Sequence, residues 1–294
     1  MYTLVTSKED PASSLMAEYL VNEIGFVRNE DIASKNQNSK YKGIHEIRAP
    51  KEDFASYDSY NFKNMELYVS HGKSLLHLDN LDEIFPESNA FIFLSRHSSK
   101  SGIPTLTCHF TGNFSDNNQY GGHPRELGIC HPSLQKQFIK DITCRQHSVP
   151  DYEITIEATH HGPTSLKKPL LFIEIGSTEK QWADRQAASL VCDILISILT
   201  GKTAETQCRT VGIGLGGTHY PRKLNEVLLE TEFGLATVVP KHNLNWIDES
   251  MIDQMLSKSF EKVTHGIVDL KGLGRERNRI LELIHKKDLE LLEV

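Results

Sequence analysis

Apolar and polar positions along this chain fall into short blocks whose period changes from two to about 3.6 and back. Residues 2–6 (YTLVT) carry β-branched side chains in alternation and predict a first strand. Asp10 then offers a helix N-cap and Pro11 a proline at the first helical position. Leu15, Met16, Tyr19, Leu20 and Ile24 recur at helical spacing until Gly25 stops the run, so the chain opens β-then-α. Residues 29–64 are polar, with Asn, Ser and Lys crowded at 34–42, and read as surface loops and short strands; 66–70 reads as another strand. From there one design repeats, a short apolar run followed abruptly by a polar cluster. The run 90–94 leads into SRHSSK, 105–108 into HFTGN, 154–156 into EATHHG, 170–175 into GSTE and 210–215 into GGTHY. Helical patterns separate several of these: 182–199 before Gly201, 221–229 opened by Pro221, 247–256, and a charged stretch over 274–292. Residues 114–150 are turn-rich, with 134–139 compatible with a helix, and suggest an insertion or lid within a single α/β domain, 1–294. Strands alternating with helices predict an α/β sheet flanked by helices.

Composition narrows the picture. Of 294 residues 38% are hydrophobic, enough for a core. The longest apolar stretch, 187–199, contains Asp193 and reads as a buried helix rather than a membrane span. The N-terminus lacks a basic segment and a long apolar run, so no signal peptide is expected. Five cysteines without CxxC spacing argue against a disulfide framework and for a reducing, cytoplasmic compartment. The net charge of −7 lowers the expectation of generic nucleic-acid binding and leaves room for a local basic patch. Histidine is the outlier, with 14 copies.

If the apolar runs are neighbouring parallel strands, His97, His109, His160, His161 and His219 crowd one edge of the sheet, where open α/β sheets bind ligands. Imidazole suits zinc and also acid–base work near neutral pH. Glu157 and Glu174 could serve as ligand, base or orienter. One histidine after a strand is ordinarily a turn residue; the recurrence at several strand ends is what carries weight. His160 and His161 are consecutive, so in an extended chain their side chains diverge, and a turn at Gly162-Pro163 is needed to bring both to one site. No HExxH is present. Gly212, Gly214 and Gly217 satisfy GxGxxG, but the helix does not follow at once and the expected acidic residue is misplaced. The better reading is a loop whose backbone N–H groups approach a phosphate or an oxyanion. Gly201-Lys202-Thr203 lacks the upstream glycine of a P-loop, and GxSxG is absent. Ser98, Lys100, Thr111, Gly112 and Asn113 fit turn chemistry and could also meet a sugar hydroxyl or a carbonyl. Lys167-Lys168, Arg222-Lys223, Lys241 and the stretch from Lys271 to Arg279 supply local positive charge. A solvated helix face is the ordinary reading of the last set, whereas Arg222, Lys223 and Lys241 flank the strand-end region.

Five blocks, in order over roughly residues 2–270, resemble the archaeal and plant type of D-aminoacyl-tRNA deacylase. They are SRHSSKSGIP at 95–104, CHFTGN at 108–113, EATHHGP at 157–163, FIEIGST at 172–178 with Trp182, and GLGGTHY at 214–220 with Pro221, Arg222 and Lys223. The resemblance implies hydrolysis of the ester between a D-amino acid and the terminal ribose of tRNA, giving free tRNA and free D-amino acid. It implies one or two zinc ions per chain. It also implies a phosphorylase/hydrolase-like three-layer α/β/α fold with a mixed, mostly parallel central sheet, akin to peptidyl-tRNA hydrolase. On that basis His97, Glu174 and His219 are expected to be catalytic, and His109, His160, His161 and His219 to hold metal. Arg96, Ser98, Lys100, Thr111, Gly112, Asn113, Ser177, Thr178, Gly216, Gly217, Tyr220, Arg222, Lys223 and Lys241 are expected to touch substrate. Among these, the backbone of Gly216-Gly217 or Thr111-Gly112 would receive the oxyanion and Arg96 would engage the 3′-terminal nucleotide. The expected partner is tRNA, without membrane or DNA. Two other classes stand beside it: a metal-assisted amidase or peptidase, which would cleave small substrates without a tRNA body, and a non-catalytic tRNA-binding protein, which would bind without turnover.

Overall fold

The computed structural model describes residues 1–29, 56–203 and 206–294, so the stretch 34–42 lies outside the described residues. The opening follows the sequence pattern. Strand β1 (Tyr2–Ser7) leads to helix α1 (Pro11–Tyr19), whose N-cap Asp10 accepts from the Ser13 N–H at 3.0 Å. The helix loosens into a π-turn over Leu20–Ile24 and ends at Gly25, whose φ of 92° is in the left-handed region.

Among the described residues the strands form two sheets. Eight run in the order β2-β3-β4-β1-β5-β8-β6-β7: β2 (Val27–Arg28), β3 (Tyr57–Phe62), β4 (Met65–Ser70), β5 (Ala90–Ser98), β6 (Thr105–His109), β7 (Glu153–Ile156) and β8 (Leu170–Ser177) join β1. The four strands β4, β1, β5 and β8 are mutually parallel, and β6 runs antiparallel to β8. The other sheet is all parallel, in the order β10-β9-β11-β12, from β9 (Thr210–Leu215), β10 (Phe233–Val239), β11 (Val263–Val268) and β12 (Glu290–Glu293). The expected α/β class with a mixed, mostly parallel sheet is observed. The second sheet was not foreseen, because β10 and β11 lie outside the runs marked by the sequence pattern and β12 lies within the stretch read as helical. That stretch divides into helix α4 (Arg277–Lys286) and β12.

Two other boundaries moved. Strands β5 and β8 run on through their polar clusters, with Ser95 opposite Glu174, His97 opposite Gly176 and Ser98 opposite Ser177. The helical run 182–199 divides at Asp184, which accepts from the Gln186 and Ala187 N–H groups and so starts α3 (Arg185–Leu199).

One face of the eight-stranded sheet, with Ile92, Leu94, Leu171, Ile173 and Ile175, packs against α1, α3 and helix α2 (Pro132–Cys144) in a cluster that continues into the second sheet. Within the turn-rich 114–150, α2 is interior. It touches β6, β7 and β10, and the buried Lys136 ammonium donates to the Thr231 and Phe233 carbonyls, both at 2.6 Å. The opposite face carries Phe91, Phe93, Leu170 and Phe172 in a smaller aromatic cluster. The same face, continued toward the second sheet, carries the histidines. No helix among the described residues is long and apolar enough to cross a membrane.

Candidate active site

Strand alternation puts Ser95 and His97 of β5, Glu174 of β8 and Thr107 and His109 of β6 on one sheet face. Because β6 is antiparallel to β8, His109 stands level with Phe172, and His97 level with Gly176. The site therefore lies across the sheet face, rather than along the carboxyl edge that a row of parallel strands would give. His219 comes from the second sheet, after β9. The chain leaving β7 stitches the two sheets together: the Ala158 N–H donates to the His219 carbonyl at 2.8 Å and the Thr159 N–H to the Val238 carbonyl at 2.9 Å.

The five rings meet. Centroids lie 4.2 Å apart for His109 and His160, 4.4 Å for His160 and His161, 4.8 Å for His160 and His219, and 5.8 Å for His97 and His219. His161 adopts a φ of 45°, which turns the backbone so that both consecutive rings enter the cluster. Gly162 makes that corner possible, since a Cβ there would sit 2.2 Å from the Gly122 nitrogen. At the other end a Cβ on Gly176 would stand 2.9 Å from the His97 Cβ, so that glycine gives the ring its room.

Three histidines share one arrangement. The Nδ1 atoms of His109, His160 and His161 lie 3.0, 2.8 and 2.7 Å from the carbonyls of Phe110, Ala158 and Gly162. A carbonyl only accepts, so each Nδ1 carries a proton; in the neutral rings of His160 and His161 the Nε2 then presents a bare lone pair, whereas at His109 the Glu174 and Glu157 carboxylates raise the pKa against the effect of burial. Burial, with His109 alongside, holds His160 well below the usual histidine range and pushes His161 down to about 4, so both are neutral at pH 7.

The carboxylates organise the rest. Glu157 is buried, with its Oε2 2.7 Å from His219 Nε2 and its Oε1 3.1 Å from His97 Nδ1, yet neither approach has hydrogen-bond geometry and both oxygens are left without a hydrogen bond. Burial opposes its charge, but the His219 and His97 rings, with His109 and His160 behind them, keep its carboxyl well below the usual range. Glu174 accepts from Ser95 Oγ at 2.7 Å and meets His97 Nδ1 at 3.2 Å; burial again opposes its charge, and His109 and His97 outweigh it. Burial disfavours the charged form of His97, but the two glutamates push its pKa up to about 10. Its Nε2 is 2.7 Å from the Tyr220 hydroxyl. Three trios have ligand atoms within 4.8 Å of one another: His109, His160 and His161; His97, Glu157 and His219; His109, Glu157 and Glu174. Orphaned buried oxygens, an unbonded His109 Nε2 and the Nε2 lone pairs of His160 and His161 fit a metal ion.

Other expected residues are placed differently. Arg96 alternates away from His97, its guanidinium 4.9 Å over the Trp182 ring and its N–H donated to Asp10, so it does not face the cluster. The Gly112 N–H donates to the His161 carbonyl at 2.8 Å and the Gly216 N–H to Val239 at 2.9 Å; neither is free for an oxyanion. Thr111 Oγ1 donates to the Pro163 carbonyl, and Asn113 Nδ2 to Gly121 and His123, so these two hold the His161 corner in place. Ser177 Oγ donates to Ile103, and the Thr178 hydroxyl and N–H both donate to Gln181. Lys223 is engaged by Asp269 and the Val294 carbonyl, and Arg222 by Glu226. Ser98, Lys100 and Lys241 are exposed. Gly217 sits between the Lys241 N–H, which its carbonyl accepts, and His219. The underweighted residue was Glu157. Its signal was its place directly after β7 and three residues before His160.

The family model for D-aminoacyl-tRNA deacylase matches residues 84–292. A D-aminoacyl-tRNA deacylase of Cenarchaeum symbiosum is 42% identical over 208 residues, covering 70% of this chain and 78% of the relative. That of Desulfurococcus amylolyticus is 34% identical over 301 residues, covering 99% of each. The crystal structure of a conserved protein of unknown function, AF0625, superposes with a TM-score of 0.82 at 27% identity, over 100% of this chain and 95% of that one. The histidine blocks that converge in space lie within the matched segment, and the chain belongs to the D-aminoacyl-tRNA deacylase family.

Proposed function

We propose that this chain hydrolyses the ester linking a D-amino acid to the terminal ribose of tRNA, with the histidine–glutamate cluster as the reaction centre. The carrying observation is the convergence of His97, His109, His160, His161 and His219 with Glu157 and Glu174 on one sheet face. Zinc is the ion that the nitrogen and carboxylate donors suit best. The Nε2 atoms of His109, His160 and His161 would hold one ion. Zinc, when bound, supplies Lewis acidity and water deprotonated near neutral pH.

The chain's own groups do the rest. Glu157 has oxygens free to take a proton from attacking water. His97, held between two glutamates and charged at pH 7, is fixed by the Tyr220 hydroxyl. A positive group there would favour charge developing on the ester carbonyl. Glu174 orients His97 and His109. His219, half-exposed, stands at the mouth where the acceptor end enters, with Lys241 beyond it.

The test is deacylation of D-tyrosyl-tRNA by His160→Ala and His219→Ala. Each is expected to lose about 100-fold or more in kcat/KM. Wild-type rates in both would remove the cluster as the reaction centre. Activity persisting in protein shown to be metal-free would remove zinc and leave Glu157 and the histidines as the base.

A further inference from the structure

The mouth of the histidine cluster has a rim that hydrolysis itself does not use. Starting from the His161 corner, the Gly162 N–H donates to the Tyr120 carbonyl at 3.0 Å, so the turn bearing Tyr120 is fastened to the site. Further along the same loop Arg125 Nη1 donates to the Trp246 carbonyl at 3.2 Å. Trp246 closes the 3-10 turn Lys241–Trp246, whose first N–H donates to the Gly217 carbonyl at 2.9 Å, two residues before His219. That turn packs against Leu270–Leu273 and Gly274–Glu276, and the Lys241 Cε lies 3.7 Å from where a Cβ on Gly274 would stand. Lys241, Lys271 and Arg275 thus share one corner, beyond the carboxyl ends of β10 and β11.

All three cations point out. The Arg275 side chain is 89% exposed, beside Glu276, and Lys241 and Lys271 are exposed. Nearby carboxylates are already engaged, Asp269 by Lys223, Asp248 by Arg125, and Glu276 by Arg279 and by Arg275, whose Nε donates to it at 3.2 Å and leaves the Lys241 and Lys271 ammonium groups as the exposed cations of this corner without a carboxylate among the described residues. The corner is therefore locally positive on a chain whose net charge is −7. Two large rings are exposed on the segments fastened to the site, Tyr120 at 62% exposure and Trp246 at 38%. Arg279, by contrast, turns inward and ties the turn down through the Leu244 and Ile247 carbonyls. Aromatic faces alternating with cations are how proteins hold single-stranded nucleic acid: bases stack on the rings and phosphates meet the cations.

We infer that this rim seats the unpaired 3′ end of tRNA, with Tyr120 and Trp246 stacking on bases and Lys241, Lys271 and Arg275 meeting phosphates. The assignment rests on the deacylase reading for the identity of the nucleic acid, and on charge and continuity with the site for its place.

Binding of uncharged tRNA to the full chain, measured across a salt series, tests it. Lys271→Ala combined with Arg275→Ala should weaken affinity about tenfold near 0.1 M salt. It should also flatten the log–log salt slope by about 1.4, at about 0.7 per phosphate contact on a single strand. Tyr120→Ala should weaken binding about tenfold with the slope unchanged, because stacking is uncharged. KM for D-tyrosyl-tRNA should rise by matching factors. Wild-type affinity and slope in these variants, alongside a wild-type chain that deacylates, would overturn the rim and assign the patch to another anionic partner. A wild-type chain that binds tRNA through the rim without deacylating it would support the rim and sink the deacylase reading.

Discussion

The two faces of β8 are equally dry and chemically opposite. Leu171, Ile173 and Ile175 are fully buried against α-helices; on the other side Phe172 and Glu174 are 1% and 4% exposed. The first face removes hydrocarbon from water and stabilises the fold. The second, with the chain that packs on it, takes two charged carboxylates and the His97 and His109 rings out of water, at several kcal/mol per ion before pairing. Burial alone therefore does not tell a core from a reaction centre. What separates them is whether the buried groups satisfy one another. Glu157 oxygens without hydrogen bonds and histidine lone pairs aimed inward are costs that a cluster kept for chemistry sustains and a core does not.

The sharpest break of that comparison is Glu157→Gln. It should lower deacylation by about 10²–10³-fold. The thermal midpoint should fall as well, because the charged His97 ring would keep only one of its two buried carboxylate partners. A destabilised variant with full specific activity would reverse the roles of the two faces. Next is Ile173→Ala on the helix-packed face, expected to cost about 2–5 kcal/mol in urea unfolding while activity per folded molecule stays within about threefold. Lost activity at unchanged stability would show that the faces are not separable.

The smallest effect lies at the far side of the same sheet, where Asp58 on β3 gathers Lys8, His71 and Arg28. Here charges are paired with good geometry. Burial works against Asp58, but those three hydrogen bonds outweigh it and bring its pKa down to about 2 from 3.8. The folded value is depressed, so the stabilisation is full above about pH 4 and is lost as pH falls through about 2. Asp58→Asn should therefore cost about 2 kcal/mol at pH 6 and little below pH 2, read from urea midpoints at the two pH values. Equal costs at both would mean that Asp58 acts by shape rather than charge.

Much of the site was legible because its residue types sit beside strong local signals. The strand ends marked His97, His109 and His160, and Gly162-Pro163 marked the turn that lets His161 join them. Glu174 lies inside the apolar run 170–175 that ends in one of the polar clusters. The assignments that failed concern where backbone N–H groups and strand faces point. Gly112 and Gly216 looked free in the sequence, yet both bond to other parts of the chain. Arg96 looked like a neighbour of His97, and alternation sends it to the other face.

By itself the sequence determined most strands of the eight-stranded sheet, the cap that starts the first helix, and the family to which the histidine blocks belong. These are set by periods of 2 and 3.6 residues and by side-chain types, all readable over a few positions. Only the tertiary structure decided that β6 runs antiparallel to β8, that His219 arrives from a second sheet, and that Glu157 joins His97 to His219. Strand direction and sheet-to-sheet docking depend on contacts between residues tens of positions apart, and no local period encodes them.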